Sequence, residues 1–274
     1  MLQFKTEKLT KRITRIFAPA GELMYLVEGD RKAVLIDTGS GIGSLKDCVR
    51  SLTDKPLTVL ITHGHVDHAM GAAEFADIYM NLNDASVYGE HGSEAFRKTG
   101  PAHRPEGIDQ LSQSVWIPAA PVTAFKDLKG GDIFDLGGEQ IRIYDCPGHT
   151  KGSVVMLLVQ ERVLVLGDAC NDFTFLFADH CTSVTEYEKN LKALKAQVDG
   201  MFDTVYISHG DGNGAVETID EVIHVCEDIK QGSTDDIPFD FMGLPGVIAK
   251  AVNPETMKRI DGRRGNIVYN KESI

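Results

Sequence analysis

Short apolar runs separated by polar turns dominate the first sixty residues. Met24–Val27 (MYLV) and Ala33–Ile36 (AVLI) flank a Glu28-Gly29-Asp30 turn and predict two strands. Leu57–Thr62 (LTVLIT), rich in β-branched residues, predicts a buried strand. Small and apolar residues from Ala69 to Ala76, with Asp67 near their start, predict a helix. The pattern then lapses. From Ser86 to Val122 Gly, Pro and polar residues prevail around Trp116, the only tryptophan. Residues 86–122 are therefore expected to be an irregular insertion, either a cover for a site or a plain surface excursion. Strands are predicted again at Ile141–Tyr144, Ser153–Leu158 and Arg162–Leu166. Ser183-Val184-Thr185-Glu186 has the form of a capping box and opens an amphipathic helix to about Val198. Thr204–Ile207 reads as a strand and Glu217–Lys230 as a helix. Beyond Gln231, Gly and Pro residues around an apolar patch at Phe239–Val247 predict a partly irregular C-terminal extension, residues 231–274, folded back on the body. No low-complexity tract or Gly/Ser linker divides the chain, so residues 1–274 are expected to form one domain.

The pattern also echoes itself. Val59-Leu60-Ile61-Thr62-His63-Gly64 reappears as Val205-Tyr206-Ile207-Ser208-His209-Gly210, and Val34-Leu35-Ile36-Asp37 resembles Leu164-Val165-Leu166-Gly167-Asp168. In each case an apolar strand ends on a side chain able to bind a metal or orient a ligand. Two related halves are expected, each donating strand ends to one shared edge.

Composition narrows the function classes. Lys+Arg 28 against Asp+Glu 40 gives a net charge of −12, which repels phosphate backbones and disfavours nucleic acid as a partner. The longest apolar stretch, Val154–Val159, is far short of the ~20 residues a membrane helix needs. The N-terminus interleaves Lys5, Lys8, Lys11, Arg12 and Arg15 with apolar residues and has no secretory pattern, so the cytoplasm is the expected compartment and no membrane partner is expected. Five cysteines, without a CxxC pair, read as reduced and mostly buried thiols. Oligomeric state is not readable from these features.

The strongest local signal is Thr62-His63-Gly64-His65-Val66-Asp67-His68. Three imidazoles and a carboxylate, placed where a buried strand must end, are ligands suited to Zn²⁺ and its neighbours. Alternation sends His63 and His65 to one side, and the following turn can bring Asp67 and His68 to a second point nearby. One motif can thus serve two metals.

This motif, His63-x-His65-x-Asp67-His68, resembles the signature of the metallo-β-lactamase-fold hydrolases, and four later or earlier pieces match in order: Asp37 in Ile36-Asp37-Thr38-Gly39, His149 in Cys146-Pro147-Gly148-His149-Thr150, Asp168 in Leu166-Gly167-Asp168, and His209 in Ile207-Ser208-His209-Gly210. The match spans Met24 to Lys230. It implies an α+β fold, a four-layer αββα sandwich of two pseudo-repeated halves. It also implies two divalent ions, zinc first with iron or manganese as alternatives: one held by His63, His65 and His149, the other by Asp67, His68 and His209, with Asp168 bridging. Asp37, and with less claim Thr150, are expected to orient ligand histidines through their free ring N–H groups.

Two cations sharing a carboxylate can supply a hydroxide at neutral pH and hold a developing oxyanion, with Asp67 orienting the nucleophile or carrying its proton. The expected function is hydrolysis of a small carboxylic ester, thioester or lactone. Cleavage of a phosphodiester at the same metals is the alternative within hydrolases, and a non-catalytic metal-holding module the alternative outside them. Within the resemblance, the best-known lactamases carry a cysteine where this chain has Asp168, the diiron flavoproteins a glutamate where His65 stands, and the acyl-homoserine lactonases a tyrosine absent from Ala169-Cys170-Asn171-Asp172-Phe173. The glyoxalase II-like thioesterases and the lactonases remain the nearest branches. Asn171, Phe173 and His180 are candidate substrate contacts, and Phe173, Phe175, Phe177 and Phe241 hint at an acyl or aromatic substrate. Cys170 is expected to pack beneath the site. His91, His103 and His224 have no ligand partners by spacing, and Arg259, Arg263 and Arg264 read as an exposed basic cluster.

Overall fold

The computed structural model describes residues 4–99, 116–241 and 243–274. Two sheets stack face to face. The first holds seven strands in chain order: β1 (Lys5–Lys8), β2 (Ile13–Phe17), β3 (Leu23–Glu28), β4 (Ala33–Ile36), β5 (Leu57–Leu60), β6 (Ile78–Met80) and β7 (Lys126–Asp127). The second holds β8 (Ile133–Asp135), β9 (Gln140–Asp145), β10 (Val154–Leu158), β11 (Val163–Gly167), β13 (Thr204–Ile207) and β14 (Asn213–Gly214), ordered β14-β13-β11-β10-β9-β8. Between β11 and β13 the chain forms β12 (Thr174–Leu176), which belongs to a third sheet with β15 (Ile237–Phe241), β16 (Leu244–Ile248) and β17 (Ile267–Tyr269).

Alternation explains the layers. On β4, Val34 and Ile36 face the space between the two large sheets while Ala33 and Leu35 face the opposite side. On β10, Val154, Met156 and Leu158 meet them from the second sheet, and Val155 and Leu157 turn outward. Strands buried on both faces need no polar alternation, which is why these runs are continuously apolar. Outside the first sheet, the helix Leu45–Leu52 contributes Leu45 and Val49, and the helix Ala85–His91 contributes Tyr88. Outside the second, the helices Val184–Val198 and Thr218–Gln231 bury Tyr187, Leu191, Leu194, Val222 and Cys226. The result is the four-layer αββα sandwich.

Topology makes the internal echo physical. In the first sheet β3 runs antiparallel to β4, and β4 parallel to β5; in the second, β10 runs antiparallel to β11, and β11 parallel to β13. β4 and β5 lead into Asp37 and His63, and β11 and β13 into Asp168 and His209. β9 is antiparallel to β10, so it shares the direction of β11 and β13, and its loop carries His149.

Three expectations are corrected. The helix over 69–76 is broken into Val66–Ala69 and a 3-10 turn at Ala72–Glu74. The cause is the loop after β4: Thr38 N–H donates to the His68 carbonyl at 2.7 Å and Met70 N–H to Gly39 at 3.0 Å, and a Cβ on Gly71 would overlap the Thr38 carbonyl. The stretch 86–122 is ordered where described, beginning with the helices Ala85–His91 and Glu94–Thr99 and resuming at Trp116, which bridges to Ile42. Its residues 100–115, His103 among them, lie outside the described residues. The tail is not mainly irregular: β15 and β16 pair antiparallel, β16 pairs with β17, and β17 runs parallel to β12. Among the described residues no helix is long and apolar enough to cross a membrane.

Gly148, in the loop before His149, lies against the Tyr187 ring, and a Cβ there would overlap ring carbons. Tyr187 is fully buried and its hydroxyl donates to the Ala169 carbonyl at 2.7 Å, so the ring cannot retreat freely. Gly148→Ala is expected to cost about 2 kcal/mol through overpacking, read as a lowered midpoint in denaturant unfolding.

Candidate metal centre

The loop ends converge. His63, His65 and His149 offer ligand atoms within 4.8 Å of one another; so do His63, His68 and Asp168, and so do Asp67, His68 and His209. Within and between these groups His149 Nε2 is 2.9 Å from His65 Nδ1, His209 Nε2 is 2.9 Å from Asp168 Oδ2, and Asp67 Oδ2 lies 3.5–3.6 Å from the Nε2 atoms of His209 and His68. His68 Nε2 is 3.5 Å from Asp168 Oδ2.

Hydrogen bonds on the far side of three of the rings fix which nitrogen points inward. His149 Nδ1 faces the Phe175 carbonyl at 2.9 Å, so Nδ1–H donates there and Nε2 keeps its lone pair for the cluster. His68 Nδ1–H donates to Asp37 Oδ2 at 2.9 Å. The Thr62 hydroxyl donates to Asp37, at 2.8 Å from Oδ2, and so accepts from His63 Nδ1 at 3.1 Å. The Nε2 atoms of His63 and His68 are buried without a hydrogen-bond partner. A buried ring nitrogen left unmatched is costly unless a Lewis acid meets it, and a set of imidazoles and carboxylates fits a divalent cation of the zinc class. The residues present therefore fit such a group.

Asp37 reaches this position from an unusual backbone. Its φ of 63° lies in the left-handed region, which aspartate tolerates better than most residues. From there the buried carboxylate accepts from Thr62 N–H at 2.7 Å as well as from His68 and the Thr62 hydroxyl. Sequence echo aside, this tie joins the ends of β4 and β5.

Electrostatics divide the cluster. Burial, reinforced by neighbouring imidazoles, pushes His63 and His65 well below the usual histidine range, and burial lowers His149 too. All three rings are thus held neutral, the state in which they can ligate. Burial would also lower His68 and His209, but Asp67 and Asp168 outweigh it, raising His68 well above the usual value and His209 to about 9. Burial opposes ionisation of Asp67 and Asp168 as well, yet His68 and His209 hold both carboxyls below their usual range. A divalent cation would take the place of the protons these carboxylates otherwise favour.

His65 is flanked on its other face. Its Nε2 lies 2.9 Å from His180 Nε2, and the His91 ring stacks on it at 4.7 Å. His91 stacks in turn on Phe96 at 4.0 Å and accepts from Val66 N–H at 3.3 Å. Burial lowers both His91 and His180 to about 4, so they too are neutral. Spacing gave no sign of His91, because only the packing of the helix Ala85–His91 brings it here.

The remaining candidates divide. Thr150 does not touch a ligand histidine: its hydroxyl donates to Asp84 Oδ2 at 2.7 Å, a buried carboxylate that the sequence did not single out. Asn171 turns inward, its Oδ1 accepting from Phe173 N–H at 2.8 Å and its Nδ2 3.4 Å from Asp168 Oδ1. Phe173 is half-buried, edge-on to Phe175 and Phe239, and Phe175 continues to Phe177 and Phe241 in one aromatic cluster. Cys170 is fully buried, with Sγ 3.9 Å from the Thr218 carbonyl. His224 is exposed on its helix. The basic residues are not a free cluster. Arg259 is buried and pairs with Asp261, Arg263 pairs with Glu221 at 2.7 Å, and Arg264 grips Asp172 with Nε at 3.0 Å.

The chain is similar to known proteins of one family. A family model described as the metallo-beta-lactamase superfamily matches residues 19–209. Acyl-coenzyme A thioesterase MBLAC2 of Gallus gallus is 25% identical over 205 residues, 70% of this chain and 73% of that protein. Atrochrysone carboxyl ACP thioesterase of Aspergillus terreus is 25% identical over 173 residues, 59% of this chain and 45% of that one. Among solved structures, a metallo-beta-lactamase from Pontibacter korlensis superposes with a TM-score of 0.60 at 17% identity, covering 82% of this chain and all of that one, a likeness of fold.

Proposed function

Because the chain belongs to the metallo-beta-lactamase superfamily, we propose that it is a dinuclear metal-dependent hydrolase, and that its substrate is a thioester with an apolar acyl group. The observation that carries this reading is the convergence of seven donor side chains, from the ends of four strands, into three overlapping groups that share His63 and His68. His63, His65 and His149 would hold one cation, Asp67, His68 and His209 the other, and Asp168 would stand between them. When bound, such cations supply Lewis acidity and lower the pKa of water towards neutrality. Zinc suits the donor set first, with iron or manganese as alternatives.

The chain's own residues then have definite tasks. Asp67, whose side chain is about one-third exposed, orients the attacking water and receives its proton on the carboxylate oxygen not turned to the cation. Asp37 and the Phe175 carbonyl keep His68 and His149 in the ligating tautomer. His180 accepts from His65 Nε2–H, which leaves His65 Nδ1 for the cluster. The half-buried Phe173, Phe175, Phe239 and Phe241 form an apolar wall one residue's carbonyl away from His149, suited to the acyl chain. The thioesterase relatives support this bond class. A phosphodiester is disfavoured by the engagement of Arg259, Arg263 and Arg264 with carboxylates. We assign the reaction to the cytoplasm, where five free thiols are at home.

The test is direct. Zinc-loaded protein is offered acyl thioesters of graded chain length, aryl esters, lactones and bis(p-nitrophenyl) phosphate. Thioesters should turn over fastest, with kcat/KM rising with acyl length, and chelation should abolish the rate until zinc is restored. A rate indifferent to chelation overturns the metal mechanism. Stoichiometric zinc without turnover on any substrate would favour a metal-holding module.

A further inference from the structure

One buried carboxylate is not used by the chemistry above. Asp84 is 1% exposed and stands at the start of the helix Ala85–His91, after β6. Its Oδ2 accepts from Gly64 N–H at 2.8 Å and from the Thr150 hydroxyl at 2.7 Å, and its Oδ1 accepts from Gly152 N–H at 2.6 Å. Thr150 is itself fixed: its N–H donates to Ser153 Oγ at 3.1 Å, and the two hydroxyls are 2.8 Å apart.

The donors come from two ligand loops. Gly64 separates His63 from His65, whereas Thr150 and Gly152 follow His149. One loop extends β5 of the first sheet, the other joins β9 to β10 of the second. The glycines matter as much as the carboxylate. A Cβ on Gly64 would lie 2.9 Å from Asp84 Cβ, and one on Gly152 2.6 Å from Asp84 Cγ. Both backbones are therefore closed directly onto the aspartate, and neither position admits a side chain without moving it. Among the described residues no Lys or Arg pairs with Asp84, and its three acceptor bonds are all to the two loops.

We infer that Asp84 is a positioning residue that sets the separation of His63 and His65 from His149, and so governs the affinity of the cation held by those three histidines while leaving the Asp67, His68 and His209 group unaffected. The inference rests on the assignment of these residues as ligands. On the side of the second group a different carboxylate, Asp37, holds His68.

Asp84→Asn keeps the shape but turns an NH₂ group towards a backbone N–H or the Thr150 hydroxyl. Zinc titration of full-length protein against a chromophoric chelator should find one of two sites weakened about 10–100-fold, the range for lost partners of ligand groups, and the other unchanged. Cobalt(II) substitution should alter the visible bands of the three-histidine site alone. Thr150→Val removes one of the three bonds and should give a smaller shift in the same site. It decides the question should Asp84→Asn fail to fold. Unchanged affinity at both sites, or equal weakening of both, overturns the inference. A wild-type protein that takes up no divalent cation overturns the ligand assignment instead, so the two failures are distinguishable.

Discussion

Asp168→Ala is expected to strip bound metal from the protein and to lower kcat/KM by about 10³-fold or more, the several kcal/mol that Lewis-acid stabilisation supplies. Asp168 is the side chain placed to serve both halves of the cluster. Its Oδ2 is 2.9 Å from His209 Nε2 and 3.5 Å from His68 Nε2, and it shares a ligand group with His63. It is also the anion that, with Asp67, draws positive charge to His68 and His209. Without it two imidazoles and a lone aspartate remain on that side, and the link to the three-histidine group is gone. Elemental analysis after desalting, alongside steady-state kinetics, checks both effects. Circular dichroism should stay native, because Asp168 lies at a strand end and not in the core. Retention of both metal and turnover would remove the premise of the proposed chemistry.

Asp37→Ala should rank second, and it acts on folding as well as on coordination. The substitution leaves the Thr62 N–H and His68 Nδ1–H without their buried acceptor, each costing about 1–3 kcal/mol. It also puts alanine at a φ of 63°, for roughly 1–2 kcal/mol more. A loss of about 4 kcal/mol in denaturant unfolding, measured in chelator so that metal does not contribute, is the expected outcome. Zinc affinity at the His68 site should fall about 100-fold. Asp37→Asn separates the causes: asparagine tolerates the backbone, and so should recover part of the stability while still failing to orient His68. Equal stability of wild type and Asp37→Ala would mean that the carboxylate carries no structural burden.

How far the sequence reached depends on where each interaction is made. The His63–His68 run was legible because its donors are contiguous and its strand is uniformly apolar. His149, Asp168 and His209 are single residues in ordinary dipeptides and gained meaning only through their order along a family pattern. His91 and Asp84 carried no signal at all, since the helix Ala85–His91 brings them to the loops by tertiary packing. The helix over 69–76 failed because Gly71 is needed against Thr38, and that contact is invisible to periodicity. The C-terminal sheet was hidden for two reasons. Pro238, Pro245 and Gly246 suppress a strand reading, although all three are tolerated in β15 and β16. β17 has only three residues, and its parallel partner β12 lies some ninety positions earlier. Thr150 was assigned to the wrong neighbour because adjacency to His149 along the chain says nothing of which way a hydroxyl turns.

The split of donors between two similar halves bears on how the protein matures. The first sheet contributes His63, His65, Asp67 and His68, the second His149, Asp168 and His209. During synthesis the amino-terminal half emerges with four of these seven donors, and the full set exists only after the segment bearing His209 has left the ribosome and docked. On the proposed ligand assignment, a complete ion site would wait for that docking, and a chain terminated before His209 would compete poorly for the cell's metal.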